Sequence, residues 1–132
     1  MVRGVEHIAL CAENVSSLIA WYQKTFQLEL VRESEEGPFF LKFPDGDLIE
    51  FVETTGDIPA DPQAREKGFR HIAVSVSSIE TMVARLKREE VEVVEEFKTV
   101  PNGTKLFLFR DIEGNIVQLV QRKYPLVENK NE

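Results

Sequence analysis

Two short stretches of the chain echo each other, Val5-Glu6-His7-Ile8-Ala9-Leu10 and Phe69-Arg70-His71-Ile72-Ala73-Val74. Each reads as a strand, whose successive side chains face opposite ways. A stripe of apolar residues at helical spacing follows each one. In the first case it is Val15, Leu18, Ile19 and Tyr22, and in the second Ile79, Met82, Val83 and Leu86. Positions i, i+3, i+4 and i+7 share one face of a helix, so each stripe predicts a helix packed through that face. Ser16-Ser17 and Ser77-Ser78 stand at or near the starts of these helices, where hydroxyls can accept from free backbone N–H groups.

A further match joins Asp45-Gly46-Asp47-Leu48-Ile49-Glu50-Phe51-Val52 to Glu113-Gly114-Asn115-Ile116-Val117-Gln118-Leu119-Val120. Asp-Gly-Asp and Glu-Gly-Asn are turn chemistry, because Gly, Asn and Asp tolerate positive φ. Apolar runs at 39–43 and 105–110 precede these turns, so each repeat ends in a hairpin. One more short strand is expected near 29–32 and near 91–95. The chain therefore reads as β-α-β-β-β, twice, over 4–53 and 68–122. The connector 54–67 holds Gly56, Pro59 and Pro62 and reads as a linker. The tail 123–132 is expected to be flexible.

Composition narrows the classes of function. The chain has 132 residues, 42% of them hydrophobic and 30% charged, which is a globular profile of one domain. A formal charge of −7 argues against nucleic acid as a partner. No apolar run is long enough to span a bilayer, and Met1-Val-Arg-Gly-Val-Glu-His7 lacks the apolar stretch of a signal peptide. A single cysteine, Cys11, allows no internal disulfide and no Cys-x-x-Cys zinc site. A cytoplasmic location is the expectation.

The repeat gives meaning to the two histidines. Strand alternation puts His7, Ala9 and Cys11 on one face and Ile8 and Leu10 on the other. The second copy does the same with His71, Ala73 and Ser75 against Ile72 and Val74. In the hairpins, Glu50 and Gln118 each stand between two aliphatic neighbours on one face. Both histidines thus occupy one repeat position, and a carboxylate and a carboxamide occupy another. If a pseudo-two-fold axis relates the halves, the four side chains can form an N2O2 shell for Zn²⁺, Ni²⁺, Co²⁺, Mn²⁺ or Fe²⁺. The competing reading is structural or metal-free use of the same residues.

These motifs resemble the vicinal oxygen chelate superfamily, which includes glyoxalase I, methylmalonyl-CoA epimerase, extradiol dioxygenases and bleomycin-binding proteins. The His-Ile-Ala strand, the Asp-Gly-Asp-Leu-Ile-Glu hairpin and their second copies carry the resemblance. So do Trp21-Tyr22-Gln23-Lys24 and the closing Phe107-Leu-Phe-Arg-Asp-Ile-Glu-Gly-Asn-Ile-Val-Gln-Leu119. The resemblance implies an α+β fold in which two βαβββ modules form a cupped eight-stranded mixed sheet with helices outside. It implies His7, Glu50, His71 and Gln118 as metal ligands and Glu50 as catalytic base, because the amide of Gln118 cannot accept a proton. The implied reaction is a glyoxalase I-like lyase or isomerase step: proton transfer next to a carbonyl, through a metal-stabilised enediolate. An epimerase of CoA thioesters and a metal-free drug-binding protein are the alternatives. Lys67 falls at a basic substrate-binding position of the family. Cys11 and Thr54 fall where glutathione-binding members carry Arg and Asn. A small-molecule substrate and a homodimer are the expected partners.

Overall fold

Both repeats fold as their periodicities predict. The computed structural model describes residues 1, 3, 5–32, 34–54, 56 and 68–127. The chain divides into two compact units, within residues 1–58 and 59–132. The first runs β1 (His7–Ala12), α1 (Val15–Phe26), β2 (Glu29–Arg32), β3 (Phe39–Lys42) and β4 (Leu48–Glu53). The second runs β5 (Ile72–Ser75), α2 (Ile79–Arg88), β6 (Val93–Thr99), β7 (Lys105–Arg110) and β8 (Ile116–Gln121). Each unit holds a four-stranded mixed sheet, in the order β1-β4-β3-β2 and β5-β8-β7-β6. The first strand of each unit pairs parallel to the last, and the remaining pairs are antiparallel. The eight strands of the tandem βαβββ architecture are therefore divided equally over two sheets.

The helical stripes pack where the spacing puts them. Leu18 and Tyr22 of α1 are fully buried, and the Tyr22 ring lies 5.5 Å from that of Phe51 on β4. Ile79, Val83 and Leu86 of α2 are buried likewise. The caps differ from the sequence expectation. Asn14, not Ser16 or Ser17, caps α1: its Oδ1 accepts from Ser17 N at 3.0 Å. Asn places its acceptor one bond further from the backbone than Ser and holds the non-helical conformation a cap needs. Ser78 precedes α2 without capping it, since its hydroxyl donates to Thr81 Oγ1. The open N–H of Ile79 is met from a distant strand by Gln121 Oε1, at 2.8 Å. Such a long-range partner has no local sequence signature.

Both hairpin turns form at the predicted residues. Gly46 and Gly114 take φ of 98° and 93°, which only glycine adopts without strain. Asp45 Oδ1 accepts from Asp47 N at 3.0 Å in the first turn. In the second, buried Asp111 does more: its carboxylate accepts from Glu113 N, Asn115 N and Asn115 Nδ2 at 2.9–3.0 Å. One strand departs from expectation. β6 begins at Val93 and extends to Thr99, later than the 91–95 predicted. Glu90 takes a left-handed φ of 58° as the chain leaves α2, and two register shifts against β7 lengthen the paired stretch. The linker lies mostly outside the described residues, as does the end of the tail.

Candidate metal-ligand pair on an open sheet face

Register decides which side chains meet on the first sheet. Parallel pairing sets Ile8 beside Ile49 and Leu10 beside Phe51, and Ile49 and Phe51 are buried on the helix side. His7, Ala9 and Cys11 therefore share the opposite face with Leu48, Glu50 and Val52. Phe40 of β3 pairs with Glu50 and joins that face. The alanine paired with Glu50 occupies little volume, so the imidazole two residues earlier reaches the carboxylate. His7 Nε2 lies 3.4 Å from Glu50 Oε1.

That spacing and its surroundings suit a cation. Two ligand bonds of about 2.1 Å meeting at a tetrahedral angle set their donor atoms about 3.4 Å apart. The other ring nitrogen is engaged, for His7 Nδ1 lies 3.1 Å from Glu6 Oε1. With its proton on Nδ1 and donated to that carboxylate, His7 turns an Nε2 lone pair toward the lone pairs of Glu50. A cation between them satisfies both. A carboxylate on the far side of a ligating imidazole is the usual support of a metal-binding histidine. The ring of Phe40 meets the His7 ring edge-on at 5.5 Å and limits its rotation. Glu50 has about a fifth of its side-chain surface exposed and His7 about a third, so small molecules can reach both.

The second unit places its pair differently. His71 stands just before β5, which begins at Ile72. Gln118 pairs with Ala73 on one side and with Leu108 on the other. Ile116 and Val120 flank Gln118 on its own face and are buried, as is Leu108. Arg70 Nη1 lies 3.0 Å from His71 Nδ1. A guanidinium can only donate, so this ring nitrogen accepts and carries no proton. Partial burial, and then the charge of Arg70, hold the His71 pKa below its ordinary 6.5.

The other sequence candidates are less involved. Cys11 is free and exposed on the open face. Thr54 spends its hydroxyl on the carbonyl of Gly56 at 2.8 Å. Lys67 lies outside the described residues. Among the described residues, no three or more His, Cys, Asp or Glu side chains gather as a metal-holding group. Sequence reasoning passed over Glu6, Phe40 and Arg70. For Glu6 and Arg70 a signal existed: both precede a histidine at one repeat position, with opposite charge.

A tandem βαβββ chain with a His–Glu pair on an open sheet face defines a class, and comparison with known proteins agrees. The sequence profile of the Glyoxalase/Bleomycin resistance protein/Dioxygenase superfamily matches residues 4–119. The chain belongs to that superfamily. It is 28% identical over 123 residues to a lactoylglutathione lyase of Neisseria meningitidis, covering 89% of each chain. Among solved structures it resembles a glyoxalase/dioxygenase from Nostoc punctiforme, with a TM-score of 0.79 at 17% identity and 92% of each chain covered. It also resembles the fosfomycin resistance protein FosX of Listeria monocytogenes, with a TM-score of 0.69 at 22% identity, over 92% of this chain and 94% of that one. At these identities the structural likenesses show the fold alone. Among the described residues, no helix is long and apolar enough to cross a membrane.

Proposed function

We propose that the protein is a divalent-metal-dependent lyase or isomerase that moves a proton at a carbon next to a carbonyl of a small molecule. His7, Glu50, His71 and Gln118 are its metal ligands and Glu50 is its base. The observation that carries this reading is the 3.4 Å approach of His7 Nε2 to Glu50 Oε1, with Glu6 behind the imidazole. The likeness to lactoylglutathione lyases supports a hemithioacetal as the first substrate to try.

A bound divalent ion supplies Lewis-acid polarisation of the substrate carbonyl. The chain supplies the rest. Glu50 takes the carbon-bound proton on an oxygen that reaches the open face, and returns it to the neighbouring carbon. Phe40 and Ala9 bound the space beside it, and Phe40 holds His7 in place. Gln118 cannot exchange a proton at neutral pH, so only one of the paired positions acts as a base. Transfer between adjacent carbons fits a single base better than epimerisation does. Lys67 is assigned to an anionic group of the substrate.

Two measurements test this. Elemental analysis of purified protein should find a divalent ion that His7→Ala and His71→Ala each lose; retention in both would remove the ligand assignment. Turnover of the methylglyoxal–glutathione adduct should fall by about 100-fold or more in Glu50→Gln. Full turnover in that variant means another group is the base. One observation favours a second reading, a metal-free binding module of the same fold: Arg70 occupies a ring nitrogen of His71. Purified protein free of metal, and unable to take it up, decides for that reading.

A further inference from the structure

The two histidines differ in the residue that touches the ring from the preceding position. Glu6 offers a carboxylate to His7 Nδ1 at 3.1 Å. Arg70 offers a guanidinium N–H to His71 Nδ1 at 3.0 Å. A carboxylate accepts and a guanidinium donates, so the two contacts ask for opposite protonation of the same ring atom. The first leaves Nε2 as a lone pair and the second leaves Nε2 carrying the proton.

We propose that Arg70 is a positioning residue that sets how tightly His71 takes a metal ion, by holding it as the Nε2–H tautomer. For His71 to ligate through Nε2, its proton must move to Nδ1, and Arg70 Nη1 must leave. For it to ligate through Nδ1, the guanidinium must again be displaced. Either route breaks the 3.0 Å contact, and the guanidinium charge also opposes an incoming cation. His7 faces no cationic donor, because the groups at its two ring nitrogens, Glu6 and Glu50, are both carboxylates. Arg70 therefore weakens the second histidine as a ligand relative to the first, and a residue of Glu6 type at that position reverses the effect. The inference rests on the metal reading above for its effect on affinity, and on geometry alone for the tautomer.

The test uses the full chain with Ni²⁺ as probe. Affinity is measured by chelator competition for wild type, Arg70→Glu and Arg70→Lys. In parallel, ¹⁵N-detected histidine spectra of metal-free protein report which ring nitrogen carries the proton. The chain has only two histidines, so the signals are assigned with one variant, His7→Gln. The expected result is Nε2–H for His71 in wild type, a shift toward Nδ1–H in Arg70→Glu, and Ni²⁺ affinity raised about 10–100-fold in that variant. Arg70→Lys, which keeps a cationic donor, stays near wild type. The proposal is overturned if His71 shows one tautomer in all three proteins, or if Arg70→Glu binds Ni²⁺ no tighter. If no variant binds Ni²⁺, the metal reading falls. A tautomer shift in Arg70→Glu then still supports the action of Arg70 on the ring, and its absence overturns it.

Discussion

The hairpins of the two units hold the same pattern and use it differently. In β4 the face that carries Glu50 is open: Leu48 is half-buried and Val52 is 40% exposed. In β8 the matching Ile116 and Val120 are 3% and 8% exposed, and Leu108 opposite Gln118 is 1% exposed. The strands themselves carry one pattern, since Leu-Ile-Glu-Phe-Val-Glu in β4 matches Ile-Val-Gln-Leu-Val-Gln in β8 with a polar residue at every third position, so the difference lies in how deeply the neighbours are buried. The difference gives a physical reason for the one polar exchange at this repeat position. Glu50 and Gln118 are both half-buried, so it is their neighbours that differ: a carboxylate beside buried Ile116, Val120 and Leu108 loses more of its hydration than an amide does, and the more open surroundings of Glu50 suit a carboxylate better.

The largest effect that checks this asymmetry is on packing. Phe107 is fully buried and Phe39, at the equivalent position of β3, is only half-buried. Phe107→Ala should cost about 3–5 kcal/mol in chemical denaturation, and Phe39→Ala distinctly less. Equal costs would mean that the two units are balanced in energy despite their different burial. Next in size is the exchange of the polar pair. Gln118→Glu should destabilise the metal-free protein by about 1–3 kcal/mol, while Glu50→Gln leaves stability nearly unchanged. Thermal melts at neutral pH read both, and a harmless Gln118→Glu would remove the desolvation argument. The smallest contrast lies at the helix starts. Asn14→Ala loses a side-chain cap and should cost about 1 kcal/mol, whereas Ser78→Ala, whose hydroxyl caps nothing, should be near neutral by the same melts.

Much of the arrangement could be read before any coordinates. The turn residues, the helical stripes and the period-two alternation each follow from local physics, so the β-α-β-β-β order and the faces of His7 and Glu50 came out as expected. The misses have a common cause. Gln121 satisfies the first N–H of α2 from 42 residues away, and the bulges of β6 depend on how β7 lies beside it. Asp111 braces the second hairpin through three donors that only the folded turn gathers. Phe40 touches His7 because antiparallel register sets it opposite Glu50. Each is a long-range or geometric fact, and periodicity carries no information about it.

The sequence by itself determined the superfamily, the doubled module and the four polar positions, because repeat spacing and strand alternation are properties of the chain. It also displayed Glu6 and Arg70 as opposite charges before matching histidines. Only the tertiary structure decided what those charges do. Strand pairing brings His7 within 3.4 Å of Glu50 with Glu6 behind it, and the chain before β5 lays Arg70 on the ring of His71. A hydrogen bond depends on distances of a few tenths of an ångström, and those are set by packing.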